Sequence, residues 1–147
     1  MTTSEGAQLA RLLLGAFEAM VDEVAAELGR AGHPGLTVAN EFAMQAIDAG
    51  ADSAADLARA LGVTRQAAAK TIATLEGLGY VDRAPDAADA RRKHLHVTER
   101  GREAVAVGAR AFDDVHRRWR DDVSATDAST TVDALQALVR SRARRSG

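Results

Sequence analysis

The segment spanning residues 53–78 constrains the fold of this chain more than any other stretch. Ser53 is a natural helix N-cap, and Asp56 follows at capping-box spacing. Leu57, Ala58 and Leu61 form one buried stripe, Gly62 supplies the left-handed residue that ends a helix, and Val63 is expected to plug the turn. Thr64 then caps a second helix, whose inward face is Ala68, Ile72 and Leu75. Its other face carries Arg65, Gln66, Ala69, Lys70 and Ala73. Such a face is low in bulk, bears two cations and an amide, and starts at a helix N-terminus. A helix entering a DNA major groove needs these features: small residues allow close approach, Arg and Gln read base edges, and Lys meets phosphate. Two capped helices around a glycine also occur in plain helical bundles, so the flanking sequence has to decide.

Residues 79–98 support the nucleic-acid reading. Gly79 stops the second helix. Residues 80–84 read as a short strand, residues 85–90 as a polar tip, and residues 91–98 as a second strand in which Leu95 and Val97 alternate with His94 and His96. Two strands behind a helix-turn-helix make a wing, with Arg91, Arg92 and Lys93 placed to reach a minor groove or flanking phosphates. The charge distribution agrees. The whole chain is net −2, but residues 64–102 hold eight basic and five acidic side chains, a basic patch in an acidic body.

The flanks are helical. In residues 5–29, Leu9, Leu13, Phe17, Met20, Val24 and Leu28 recur at three-to-four spacing. A glycine-rich loop containing His33 and Pro34 comes next. Thr37 caps a second helix with Phe42, Ala43, Ala46 and Ile47 expected inside. Thr98 caps a long helix with the stripe Val105, Gly108, Phe112, Val115, Trp119 and Val123. Residues 124–127 break it, and a last helix covers about 128–142. Stripes this long exceed what the reading head can bury, so they are expected to pack together and against a second copy.

The order of elements resembles the MarR family of winged-helix regulators. The resemblance rests on Leu57-Ala58, Leu61-Gly62-Val63-Thr64, Leu75-Glu76, Gly79-Tyr80-Val81, Asp86, Asp89-Ala90-Arg91-Arg92 and Val97-Thr98-Glu99-Arg100-Gly101. It implies a mainly α fold with a small two- or three-stranded β wing, in one domain. Residues 36–98 form the winged helix-turn-helix, and residues 5–35 and 99–147 the dimerisation helices. It further implies a homodimeric regulator, a repressor by expectation, on a palindromic operator in double-stranded DNA. The recognition-helix contacts would fall on Thr64, Arg65, Gln66, Ala69 and Lys70, and Asp89 would orient Arg91. A small aromatic ligand would sit between the dimerisation helices and the head, with Phe17, Met20, Phe42, Phe112 and Trp119 as candidate lining. The alanines at 88 and 90 stand where the family is frequently basic, and residues 36–42 fit its pattern loosely.

Other classes find little support. The chain has no cysteine, which excludes disulfides and thiol chemistry. No apolar run reaches membrane-span length and residues 1–8 lack a signal-peptide pattern, so a cytoplasmic protein is expected. His94 and His96 share a strand face but lack a third metal ligand, and the Asp113-Asp114 and Asp121-Asp122 pairs read as solvated helix faces. No enzyme, metal or cofactor is expected. The alternative function is a winged-helix protein-interaction module. It would have no need for cations on both the second helix and the wing.

Overall fold

The computed structural model describes residues 2, 4–89, 91, 93–145 and 147. Among them the order is α1 (Glu5–Arg30), α2 (Val38–Asp48), α3 (Ala54–Leu61), α4 (Arg65–Gly77), β1 (Val81–Pro85), β2 (Lys93–Val97), α5 (Glu99–Val123) and α6 (Ala125–Arg145). The two strands form one antiparallel hairpin with Arg83 opposite Leu95, so among the described residues the wing is two-stranded. Contacts divide the chain into two compact units, one through Ala111 and one from Phe112, with α5 contributing to both. No described helix is long and apolar enough to cross a membrane.

The helix boundaries obey local chemistry. The hydroxyls of Thr37, Ser53 and Thr64 each accept the backbone N–H three residues on, at 3.1 Å. A cap of this kind contributes about 1 kcal/mol. Asn40 completes a full capping box by accepting the Thr37 N–H. At α3 the box is open: the Asp56 carboxylate reaches past Ser53 to the Asp52 N–H at 3.2 Å. Gly62 and Gly79 have φ of 67° and 80°, so each chain reversal uses the residue type that adopts it without strain.

The core of the first unit joins Val24 and Leu28 of α1, Met44 and Ile47 of α2, Leu57 of α3, Ala68, Ile72 and Leu75 of α4, and Leu95 and Val97 of β2. Two expectations need correction. Val63 is 45% exposed and does not plug the turn, and Phe42 is 41% exposed while Met44 takes its inward place. The reason lies one residue away. Helix α2 turns Val38, Glu41 and Met44 inward, and Glu41 is a carboxylate, which hydropathy assigns to solvent.

Glu41 is fully buried, and neither carboxylate oxygen has a hydrogen-bond partner. A Cβ at position 108 would lie 1.5 Å from Glu41 Oε1, so glycine in α5 makes the room this side chain occupies. Burial pushes its pKa up from 4.5 to about 7.

A second tight junction lies where the head meets α5. Thr98 N–H donates to the Tyr80 carbonyl at 3.0 Å, and Thr98 Oγ1 donates to the Gly79 carbonyl at 2.7 Å. The Gly101 N–H donates to Thr98 Oγ1 at 3.1 Å, so Thr98 caps α5 as expected. Buried His33 hydrogen-bonds Tyr80 Oη through Nδ1 at 2.9 Å, and the Arg100 guanidinium lies over the Tyr80 ring. The loop before α2, the start of β1 and the start of α5 thereby meet at one tyrosine.

In the second unit the expected break at residues 124–127 narrows to Ser124, whose φ is 113°. Its hydroxyl accepts the Asp127 N–H and starts α6 at once. Helix α6 leaves Leu138 and Val139 exposed, the latter by 72%.

Candidate nucleic-acid interface

Helix α4 is fixed by Ala68, Ile72 and Leu75, which are buried. Thr64, Arg65, Gln66, Ala69 and Lys70 consequently face outward, and all five are exposed. The hydroxyls of Thr71 and Thr74 turn back onto the carbonyls of Ala67 and Lys70, leaving little polar bulk beside the cations. The other five described helices carry an acid in the first turn: Glu5, Glu41, Asp56, Glu99 and Asp127. Helix α4 carries none. Its partial positive end is left unneutralised beside Arg65, which suits a phosphate oxygen.

The wing adds a second cationic element. The Asp89 carboxylate accepts both the backbone N–H of Arg91 at 3.0 Å and its Nε at 3.4 Å. That pairing directs a guanidinium whose side chain is 94% exposed. Lys93 is exposed at the start of β2. Arg92, expected to act with them, lies outside the described residues, as does Ala90. At the root of the wing, Arg83 of β1 pairs with Glu76 of α4 at 3.4 Å, which connects the hairpin to the helix that would read bases.

One part of the wing was not legible beforehand. The α2–α3 turn supplies Asp52, whose Oδ1 accepts the Leu95 N–H at 2.9 Å and so occupies the edge of β2. Its Oδ2 meets His94 Nδ1, while His94 Nε2 faces Asp86 Oδ2 at 2.9 Å. The two carboxylates, Asp86 foremost, raise the His94 pKa above its ordinary value. His96, exposed on the same strand, pairs with Asp82 at 3.0 Å.

The residues expected to line a ligand pocket fall in both units. Phe17 and Phe42 are substantially exposed and Met20 is half-buried in the first unit; Phe112 and Trp119 are half-buried in the second. A cleft of about 410 Å³ opens between α2, β2 and α5 within the first unit. Met44, Val97, Val105, Ala106 and Ala109 give it apolar walls, Arg102 contributes a cation and Asp48 an anion.

Residues 42–92 match the model of the MarR family, a span running from α2 through α4 to the wing. Over those residues the winged head is similar to the MarR family. Solved structures extend the likeness in fold to almost the whole chain. FabT of Streptococcus pneumoniae in complex with DNA shares 19% identity at a TM-score of 0.74, covering 92% of this chain and 96% of its own. CouR of Rhodococcus jostii RHA1 bound to p-coumaroyl-CoA shares 22% identity at 0.68, covering 93% and 95%. A MarR-family transcriptional regulator of Rhodococcus sp. RHA1 shares 21% identity, also at 0.68, covering 93% and 96%. No curated protein matches the sequence. The order of α3, α4 and hairpin is that of a helix-turn-helix followed by a wing, with α4 as its second helix.

Proposed function

We propose that the chain is a DNA-binding transcriptional regulator that acts as a homodimer, in the repressor mode, on a palindromic operator. The observation that carries this is the outer face of α4: Arg65, Gln66, Ala69 and Lys70 exposed together at a helix N-terminus that no acid neutralises. In this reading Thr64 and Lys70 meet phosphate, Arg65 and Gln66 read base edges, and Ala69 permits close approach. Arg91, Arg92 and Lys93 hold the flanking backbone or minor groove, with Asp89 directing Arg91.

Dimerisation is supported by apolar surface that one copy leaves bare. Helix α1 exposes Leu9, Leu12, Leu14 and Phe17, and α6 exposes Val132, Leu138 and Val139. A two-fold dimer would present two α4 helices to half-sites about one helical turn apart.

Selection of duplexes from a random pool tests the reading. A two-fold symmetric winner whose affinity drops steeply with salt supports it; no enriched sequence overturns it. With that duplex, Arg65→Ala is expected to lose about 1–3 kcal/mol of discrimination at one base position in each half-site. Arg91→Ala should weaken binding evenly across sequences. Wild-type binding by both variants would remove α4 and the wing from the contact surface.

A small aromatic ligand that releases DNA belongs to the same proposal. The α2–β2–α5 cleft suits a small aromatic ligand in size and apolar lining, and among the described residues Arg102 is the one cation in it that could pair with a ligand carboxylate. CouR, of similar fold, is bound to an aromatic acyl-CoA. Aromatic carboxylates screened against the protein–operator complex should release wild type at lower concentration than Arg102→Ala.

A further inference from the structure

The wing of this chain is held by a histidine with a carboxylate on each side. His94 stands on β2 with Ala84 opposite it on β1. Its Nδ1 meets Asp52 Oδ2, from the turn between α2 and α3, and its Nε2 lies 2.9 Å from Asp86 Oδ2, at the first residue beyond β1. An ionised carboxylate only accepts hydrogen bonds. A neutral imidazole has a single N–H, so one of its two nitrogens would turn a lone pair towards a carboxylate. Only the imidazolium, with N–H on both nitrogens, satisfies both contacts.

Each aspartate is itself fixed. Asp52 accepts the Leu95 N–H at 2.9 Å, and its own N–H is held by Asp56 at the start of α3. Asp86 Oδ1 accepts the Ala88 N–H at 2.8 Å and so shapes the turn that leads to Asp89 and Arg91. The ring thus joins a turn anchored to α3 with the loop that carries the exposed guanidinium. The next titratable group along β2, His96, is engaged separately: Asp82 lies at 3.0 Å from Nδ1 and Arg102 at 3.3 Å from Nε2.

We propose that His94, as imidazolium between Asp52 and Asp86, is the positioning residue of the wing, and that loss of its proton releases Asp86 and weakens DNA binding through Arg91. This inference rests on the DNA-binding reading above. Linkage sets the sign. The partners raise the pKa of His94 in the latched wing, so the latch is complete below the ordinary histidine range and is lost as pH rises through the raised value. The same surface therefore grips DNA more firmly in mildly acidic than in alkaline solution.

The test has one arm without DNA and one with it. Ring resonances of His94 tracked by NMR should titrate above the ordinary value of about 6.5 in the full-length protein, and Asp86→Asn should lower that midpoint. The amide signals of residues 86–91 should shift with the same midpoint. In the second arm, affinity for the selected duplex is measured from about pH 6 to about pH 9, the range over which a perturbed histidine changes charge. Wild type should lose about tenfold, a change equivalent to one pKa unit of coupling between the ring and the DNA-competent wing. His94→Gln and Asp86→Asn should bind weakly at the acidic end and lose that decline, while His96→Gln should retain it.

A His94 midpoint at or below the ordinary value overturns the latch, and so does a wild-type pH profile in His94→Gln. If no duplex binds at any pH, the regulator reading fails instead. The ring titration and its response to Asp86→Asn then decide the latch alone.

Discussion

Gly101→Ala is expected to destabilise this protein by about 3 kcal/mol, although alanine is the better helix former by about 1 kcal/mol. Gly101 lies in the first turn of α5 and is buried. A Cβ there would stand 2.3 Å from the Tyr80 carbonyl oxygen and 2.7 Å from Val97 Cγ1. The first contact is with backbone that cannot rotate aside, and the same carbonyl accepts the Thr98 N–H. Relief requires moving the start of α5 away from the turn between α4 and β1, which would also disturb the hydrogen bond from Thr98 to Gly79. The unfolding midpoint should fall by roughly 10 °C. Gly15→Ala provides the control. Position 15 is inside α1 with open space around it, and alanine there should stabilise by about 0.5–1 kcal/mol. Equal effects from the two substitutions would show that helix propensity, not the contact with Tyr80, governs position 101.

The contrast between these glycines shows how far the sequence could be read. Caps and stops act through the nearest few residues, so Thr37, Ser53, Thr64, Gly62 and Gly79 announced the boundaries of α2 to α4. The outward face of α4 was equally legible, because a helix with Ala68, Ile72 and Leu75 inside leaves no choice about where Arg65 and Lys70 point. Helix α2 was misphased because periodicity counts a carboxylate as a surface residue, and Glu41 is not one. That error carried Phe42 inward and left Met44 out of the expected core. The wing strands were legible from alternation, but their anchoring was not. Asp52 meets His94 across 42 residues of sequence, and nothing in a turn aspartate or a strand histidine marks the pairing. The same limit hid His33 against Tyr80, 47 residues apart. None of the candidate aromatics lines the cleft formed by α2, β2 and α5, whose apolar walls are valine, alanine and methionine.

Glu41 gives the second large effect, a dependence of stability on pH that a single substitution should remove. Burial pushes its carboxyl from 4.5 to about 7 in the folded protein, because the charged form would sit against Gly108 without a hydrogen bond. Between those two values the unfolded chain releases a proton that the folded chain retains. Stability therefore falls as pH rises from about 4.5 to about 7, by about 3 kcal/mol in all, and this contribution is level outside that window. In Glu41→Gln the buried group is neutral at every pH and of nearly the same shape. Urea unfolding of both proteins from pH 4 to pH 8.5 should give a difference in stability that moves by about 3 kcal/mol in favour of the variant across the window. Any fixed cost of burying the amide shifts the difference equally at every pH and leaves its slope untouched. His94 titrates in both proteins and cancels from the comparison. Parallel stability curves would mean that the Glu41 carboxylate reaches water or a cation in solution, and that the space provided by Gly108 is not closed.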